Sequence, residues 1–370
     1  MEPIRVLQVV TTMERAGLET MLMNYYRNVD RTQVQFDFLR HRDGEHAYDS
    51  EILAMGGRIY TVPPFDPLNT NGYLTALDAF FREHRDYQVV HAHLDCLSAP
   101  VLRCAKKYGI PTRIAHSHVS QMTFDFKYPI RMFFRCQIPG VATDLFACSE
   151  DAGKWMFGKK QYRIVPNAID CCGFAYDEGK AEKLRRESGL EGCFVVGHIG
   201  RFDPVKNHGF VLDVFREIAA RYENSVLLLA GTGDTMPAVR SQAEAYGLAE
   251  KVRFLGSVSN VPDVLQMMDV FVFPSLYEGL GISLIEAQAA GLPCYTALNC
   301  VPEAANVTGD VRYLPLDMQP QEWADIILRE CFGGKKRESR IDMICDAGYD
   351  IHAQAHKLET FYLDCNRRRS

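Results

Sequence analysis

Several patterns that mark large functional classes are missing from this chain. None of its apolar runs approaches the ~20 residues that a bilayer-crossing helix needs. Met1-Glu2-Pro3 leads directly into the strand-like Ile4 to Val10, without a basic n-region or cleavage site, so no secretory leader is expected. Twelve cysteines are scattered without a Cys-x-x-Cys pair, which favours a reducing, cytoplasmic setting; all twelve read as packing or surface thiols. Gly-x-Gly-x-x-Gly is absent from both places where a dinucleotide would need it. VVTTMERAGLE supplies one glycine, and Met236 stands where a third would follow Gly231 and Gly233, so a nicotinamide or flavin site is disfavoured. His352 and His356 share a helical face, but no glutamate stands between them and no third ligand is apparent, so a zinc site there is not expected.

What is present is the composition of a soluble globular protein. Of 370 residues, 47% are hydrophobic and 24% charged, enough chain for two domains. The net charge of −6 is uneven: residues 1–170 carry 20 Lys and Arg against 19 Asp and Glu, leaving 21 against 28 for the rest. The first half is the relatively basic one, a mild argument for an anionic partner there.

Strand and helix signals alternate throughout, as in doubly wound α/β domains. In the first half, strands are expected at Ile4 to Val10, Phe36 to Leu39, Arg58 to Val62, Val89 to His91, Ile114 to His118, Asp144 to Cys148 and, last, within Arg163 to Asp170. Helices are expected at Leu74 to Phe81, at Pro100 to Tyr108, and after Ser149, a good N-cap. A boundary falls near 170–175, where charged, turn-prone residues from Asp177 to Glu182 begin the second half. There Phe194 to Ile199, Val226 to Ala230, Val252 to Leu255 and Val270 to Phe273 read as strands, and Phe210 to Tyr222 and Asp263 to Met268 as helices. Ile351, Ala355, Leu358 and Tyr362 form an apolar stripe on a closing helix.

The stretch from Val270 to Pro293 carries the most specific chemistry. A buried strand ends at Pro274, a loop with Glu278, Gly279 and Gly281 follows, and helical spacing resumes from Ser283 to Ala290. Unpaired amides at such a helix start form a cradle for phosphate. Glu278 and Glu286 bracket it, eight residues apart, where both could accept hydrogen bonds from hydroxyls on either side of a diphosphate. That combination points to a sugar nucleotide. Arg201 and Lys206 follow the strand that ends before Gly200, at the sheet edge where a diphosphate would need cations. Gly231 ends another strand, and the backbone near Val258 could meet a nucleobase edge. In the first half, the small pair Ala16-Gly17 opens a helix where a ligand could approach closely, and IAHSH places His116 or His118 at a strand exit, able to donate to a reacting sugar. His91 and His93 occupy another exit. Asp-x-Asp occurs nowhere, so metal independence is expected. From Phe124 to Arg135, aromatics interleave with Lys127, Arg131 and Arg135, a pattern compatible with an amphipathic helix touching anionic lipid, with Pro129 limiting its length.

Taken together, Glu278 to Glu286, GRFDPVKN (200–207), VPNAID (165–170), AGTGD (230–234) and FPSLYEGLG (273–281) resemble the retaining GT-B glycosyltransferases of family 4, especially bacterial members that assemble capsular or exopolysaccharide. The resemblance implies two Rossmann-like domains facing a cleft: an acceptor-side domain over 1–170, joined by a C-terminal helix at about 351–370, and a nucleotide-sugar domain over 175–350. It implies a UDP-sugar co-substrate, no other cofactor, a saccharide or lipid-linked acceptor and no nucleic-acid partner. Glu278 would bind donor-sugar hydroxyls and Glu286 the ribose, while Arg201 and Lys206 would neutralise the diphosphate. Gly279, Leu280, Gly281, Ile282 and Ser283 would offer contacts near sugar and phosphates, with Gly200, Gly231 and Val258 lining the nucleotide and Gly17 approaching from the other domain. The active-site histidine matches the IAHSH exit, His118 being preferred to His116. Where the family often has Gly-Gly, this chain has Ala16-Gly17, which leaves that one contact open. Replacing Arg201 or Lys206 by alanine is expected to lower turnover with little loss of fold. Rival readings are a non-hydrolysing nucleotide-sugar 2-epimerase and a non-catalytic nucleotide-sugar binder on the same architecture.

Overall fold

Alternation of short β-branched runs with amphipathic helices yields two parallel sheets. The computed structural model describes residues 2–119, 127–333 and 336–367. Two compact units result, one comprising 1–169 with 351–370 and the other 170–350.

In the first unit, strands β1 (Ile4–Val10), β2 (Val34–Arg40), β3 (Ile59–Thr61), β4 (Val89–Ala92), β5 (Thr112–Ser117), β6 (Asp144–Ala147) and β7 (Arg163–Ile164) form a seven-stranded sheet in the order β3-β2-β1-β4-β5-β6-β7. Each neighbouring pair is parallel. The final strand is shorter than the expected Arg163 to Asp170 because Pro166 has no amide to give a ladder. Asp37, fully buried in β2, is tolerated because Arg5 pairs with it and the Tyr87 hydroxyl and Arg58 amide both donate to it. The closing helix Ile351–Arg367 sinks its apolar stripe into this unit: Ile351, Ala355, Leu358 and Tyr362 share a core with Val6, Tyr25, Phe36 and Ile114. Ile351 and Leu358 each contribute about 1.5–3 kcal/mol of burial, and Ala355 less.

The helix Tyr128–Val141 begins with Pro129 in its first turn, where the missing amide costs nothing, so this proline starts the helix rather than limiting it. Residues 124–126 of the expected lipid-facing segment lie outside the described residues. Its stripe is also incomplete, since the Arg135 guanidinium donates to Met156 O at 3.0 Å and lies 5.0 Å from the centre of the Trp155 ring. Phe133 remains 62% exposed.

The second unit holds β8 (Phe194–Ile199), β9 (Ser225–Ala230), β10 (Val252–Gly256), β11 (Val270–Phe273), β12 (Cys294–Ala297) and β13 (Arg312–Leu314), ordered β10-β9-β8-β11-β12-β13 and parallel. The charged run near Asp177 to Glu182, expected to turn, is helical from Glu178 to Glu187. Asp177 caps it by accepting from the Lys180 amide at 2.9 Å, and only Ala181 is buried.

Candidate active site

In a parallel sheet whose strand order reverses direction, the loops at the reversal diverge and leave a crevice at the carboxyl ends. The first sheet reverses between β1 and β4, the second between β8 and β11. The candidate residues lie at or beyond the carboxyl ends of strands of their own sheets, His116 within the last two residues of β5 and the others after a strand.

In the second unit two loops interlock. Asp203 accepts from the Lys206 amide at 3.1 Å, and Asn207, in the left-handed region at φ +55°, donates its side-chain amide to Pro274 O at 3.2 Å. The Leu276 amide bonds to Val205 O at 2.8 Å and the Glu278 amide to Cys300 O at 3.0 Å. These ties bring the Lys206 ammonium to 2.5 Å from the Glu278 carboxylate and 4.9 Å from the centre of the Phe273 ring. Glu278 is buried and Lys206 half-buried, so the pair is held away from water. Arg201 is exposed and has no ion-pair partner among the described residues.

Two candidate glycines here answer to a backbone requirement. Gly231 has φ +139° and its missing Cβ would lie 2.0 Å from Gly200 O, so the β8 and β9 loops touch backbone to backbone. Gly281 adopts φ +77° and heads the helix Ile282–Ala289, one residue earlier than the expected Ser283. Leu280 and Ser283 are buried beside it, and Gly279 and Ile282 are half-buried. Val258, also half-buried, follows β10. Glu286 sits one turn into that helix, 8% exposed, with no hydrogen-bond partner among the described residues; burial raises its pKa to about 8. An unpaired buried carboxyl at a helix start is costly and calls for hydroxyl donors from outside.

The first unit places Gly17 at the start of the helix Gly17–Asn28. A Cβ there would meet nothing within 4 Å, so its own fold does not demand glycine. Ala16 is extended, at φ −131°, and alanine fits without strain.

His116 and His118 belong to a larger array. His91 Nδ1 lies 2.8 Å from the Tyr362 hydroxyl and His91 Nε2 lies 3.1 Å from His116 Nδ1. His93 Nδ1 lies 2.9 Å from His118 Nε2, and His93 Nε2 lies 2.9 Å from Gln8 Oε1. Gln8 Nε2 donates to the Tyr362 hydroxyl at 3.4 Å. Burial first, and neighbouring rings second, push His91, His93 and His116 well below the usual range; burial pushes His118 to about 3. All four rings are therefore neutral near pH 7, and each carries one proton.

That single proton per ring makes the donors countable. Gln8 Oε1 can only accept, so His93 donates from Nε2 and its Nδ1 is bare. His118 must then donate from Nε2, leaving its own Nδ1 as a lone pair with no partner among the described residues. The other branch agrees. Tyr362 donates to His91 Nδ1, His91 Nε2 donates to His116 Nδ1, and the buried His116 Nε2 keeps its proton without a hydrogen-bond partner among the described residues. On this count the nitrogen that His118 leaves free is Nδ1, a lone pair that can accept at neutral pH, whereas the sequence reading has this histidine as a donor. Asp95, in the left-handed region at φ +49°, accepts from the His118 amide at 2.8 Å and fixes that turn; burial raises its pKa to about 6 against the pull of the His118 and Val119 amides. Gln8 and Asp95 were not singled out from the sequence, and Tyr362 only as part of an apolar stripe. Only the alternating His-x-His pairs at 91–93 and 116–118 gave a signal, because in a strand such pairs point to one face.

Comparison with known proteins now bears on this geometry. Residues 180–340 match the family described as Glycosyl transferases group 1. EpsF of Bacillus subtilis (strain 168), provisionally named a glycosyltransferase, is 35% identical over 368 residues, spanning 97% of this chain and 96% of its own. The chain belongs to the group 1 glycosyltransferases. An Escherichia coli enzyme named UDP-Gal:alpha-D-GlcNAc-diphosphoundecaprenol alpha-1,3-galactosyltransferase is 25% identical over 220 residues, covering 56% of this chain and 57% of that one. The Anabaena Alr3699/HepE structure, solved in complex with UDP and glucose, superposes with a TM-score of 0.80 at 17% identity over 97% of this chain and 99% of that one. This group 1 glycosyltransferase therefore has the GT-B architecture of two parallel-sheet α/β domains.

Proposed function

We propose that this glycosyltransferase moves a hexose or N-acetylhexosamine from a UDP-sugar to a saccharide or lipid-linked saccharide, with retention and without a metal, during cell-surface polysaccharide assembly. The observation that carries the reading is the second unit's switch point: an unpaired Arg201, the Lys206–Glu278 pair, the Gly281-headed helix and a partnerless Glu286 all at one sheet edge. Diphosphate oxygens suit the two cations and the helix amides, and ribose hydroxyls supply the donors that Glu286 lacks. Support for UDP comes from the bound UDP of the HepE structure, and for a lipid-linked acceptor from the name of the Escherichia coli relative.

The mechanism follows from those groups. The acceptor hydroxyl attacks the anomeric carbon on the face from which the diphosphate leaves. A new carbon–oxygen bond forms as the bond to the leaving phosphate oxygen breaks, and that oxygen takes the hydroxyl proton. Arg201, Lys206 and the helix amides stabilise the negative charge that grows on the diphosphate. Binding of the diphosphate draws Lys206 from Glu278, freeing that carboxylate for sugar hydroxyls. His118, through its bare Nδ1, accepts from a further sugar hydroxyl.

Incubating the purified protein with a panel of nucleotide sugars in EDTA tests this. Release of UDP from one sugar nucleotide, accelerated by an acceptor extract, is expected. Conversion to an epimer without acceptor would replace the reading with the epimerase, and saturable binding without turnover under every acceptor would replace it with the binder. Peripheral contact with the membrane through Lys127, Arg131 and the exposed Phe133 accompanies the lipid-linked acceptor. Failure of anionic liposomes to retain the protein at low salt would remove that contact from the proposal.

A further inference from the structure

Away from these loops, three side chains with no part in the reaction converge beside the places where the chain passes between its two units. Cys171 lies two residues beyond Ile169, and Asp350 immediately precedes Ile351, whose amide bonds to Ile169 O at 2.9 Å. The two passages therefore run side by side. Cys171 is buried at the start of the single 3-10 turn Cys171–Phe174, which the Asp170 side chain caps. Cys345 and Asp350, both half-buried, flank a turn in which Gly348 is left-handed at φ +88°. The two sulfurs and a carboxylate oxygen all lie within 4.8 Å of one another.

We propose that Cys171, Cys345 and Asp350 form a site for a thiophilic divalent cation of the zinc class, with solvent in the fourth position, which staples the two passages together. A tetrahedral ion with bonds of about 2.3 Å to sulfur and about 2.0–2.2 Å to oxygen sets its ligand atoms roughly 3.5–3.8 Å apart, so small side-chain rotations close the observed spacing. The donor set is two thiolates and one carboxylate, the borderline-soft mixture that zinc takes and that calcium or magnesium does not. Burial, the Cys345 thiol and the charge of Asp350 keep the Cys171 thiol protonated in the free protein. Uptake of the cation therefore displaces two thiol protons to solvent and leaves a complex of one positive dication, two thiolates and one carboxylate. None of the three residues belongs to the donor-sugar loops, so the site is structural and separate from the metal independence of transfer.

The test uses the full-length protein, freed of metal with EDTA and desalted, and titrated with Co2+. Thiolate ligation gives a sulfur-to-cobalt charge-transfer absorption that histidine and carboxylate ligation do not. One equivalent per chain, displaced by Zn2+, is expected. Cys171→Ser and Cys345→Ser should abolish the band, Asp350→Asn should keep it with affinity lowered at least about tenfold, and Cys172→Ser, at the exposed neighbour, should leave it unchanged. The exposed His352 and His356 can bind cobalt, but without this absorption. Circular dichroism of each variant separates lost ligation from lost folding. The wild type decides the matter even if a variant fails to fold: absence of the band at stoichiometric Co2+, or a band that Cys172→Ser removes as completely as Cys171→Ser, overturns the proposal. So does formation of a Cys171–Cys345 disulfide on adding a thiol oxidant in a protein that binds no cobalt.

Discussion

Among individual residues, Arg201 and Lys206 separate two effects that the sequence alone runs together. Arg201 is exposed and unpaired, so Arg201→Ala should change stability by about 0.5 kcal/mol or less while lowering kcat on the order of 10²-fold. Lys206 is different, and the expectation that its loss spares the fold does not survive the structure. Lys206→Ala strands the buried Glu278 carboxylate and should cost about 3–5 kcal/mol in addition to its catalytic effect. Lys206→Ala with Glu278→Gln should regain much of that stability but not turnover. Chemical denaturation of the three variants beside their kinetics checks both statements.

Glu286 gives a pH dependence with a definite sign. Its folded pKa, about 8, lies above the 4.5 of a glutamate in water, so the folded state holds the extra proton between those values. The stability it contributes is complete below pH 4.5 and is lost as pH rises through 8. Unliganded wild type should therefore melt progressively lower from pH 5 to pH 8, and Glu286→Gln should flatten that slope. If ribose hydroxyls donate to the carboxylate, UDP binding favours the ionised form. Affinity should then rise toward pH 8 by at most about tenfold per pH unit in the wild type, and the variant should lose this rise. Calorimetric titration with UDP alone reads it. A wild-type affinity flat with pH would remove Glu286 from the ribose contact.

Single elements show why part of the molecule was legible before its coordinates. Strands β1, β8 and β11 have the residue bounds that their apolar runs suggest, because Val6 to Val10, Phe194 to Ile199 and Val270 to Phe273 are buried on both faces and the runs stop at Thr11, Gly200 and Pro274. The Glu178–Glu187 helix was not legible as one, since nearly all its residues stay in solvent and supply no periodic apolar signal. The helix Pro320–Cys331 had its signals, Pro at its start and Trp323, Ala324 and Ile327 on one stripe, but lies beyond the motif-rich stretch. Candidate residues on glycine loops were readable because the backbone there is unusual. The roles of Gln8 and Tyr362 were not, because they depend on β1 and the closing helix, 354 positions apart, meeting at one histidine pair. The β8 and β9 loops make the corresponding prediction at this scale. Gly231→Ala has no room against Gly200 O and an unfavourable φ, so it should weaken UDP binding markedly, whereas Gly17→Ala should leave folding unchanged and act only on donor-sugar turnover.

For the whole molecule, the closing helix matters most to the first unit, because it completes that unit's core and also ends its proton chain. Tyr362 is fully buried and its hydroxyl joins Gln8 to His91, so the helix carries a hydrogen-bond donor to the edge where His118 lies. Tyr362→Phe keeps the ring and its packing but removes the donor to His91 and the acceptor for Gln8. Gln8→Met removes the acceptor that fixes His93. In the first variant His118 keeps its proton on Nε2, because the Gln8 carbonyl still takes the His93 proton. In the second, His93 loses the partner that holds its tautomer, and His118 should populate both. Long-range proton–nitrogen correlation spectra of the imidazoles, recorded on the free protein near pH 7, report each tautomer without any substrate. Wild type and Tyr362→Phe should show His118 protonated at Nε2 with a bare Nδ1, and Gln8→Met a mixture. Turnover should follow the spectra, with kcat lowered in Gln8→Met more than in Tyr362→Phe and with UDP affinity unchanged in both, since the proposed function assigns the UDP contacts to the other unit. A wild-type His118 protonated at Nδ1 would overturn the proton count and restore the histidine as a donor to the sugar. Correct spectra with unaltered kcat in Gln8→Met would leave the count standing and remove His118 from the reaction.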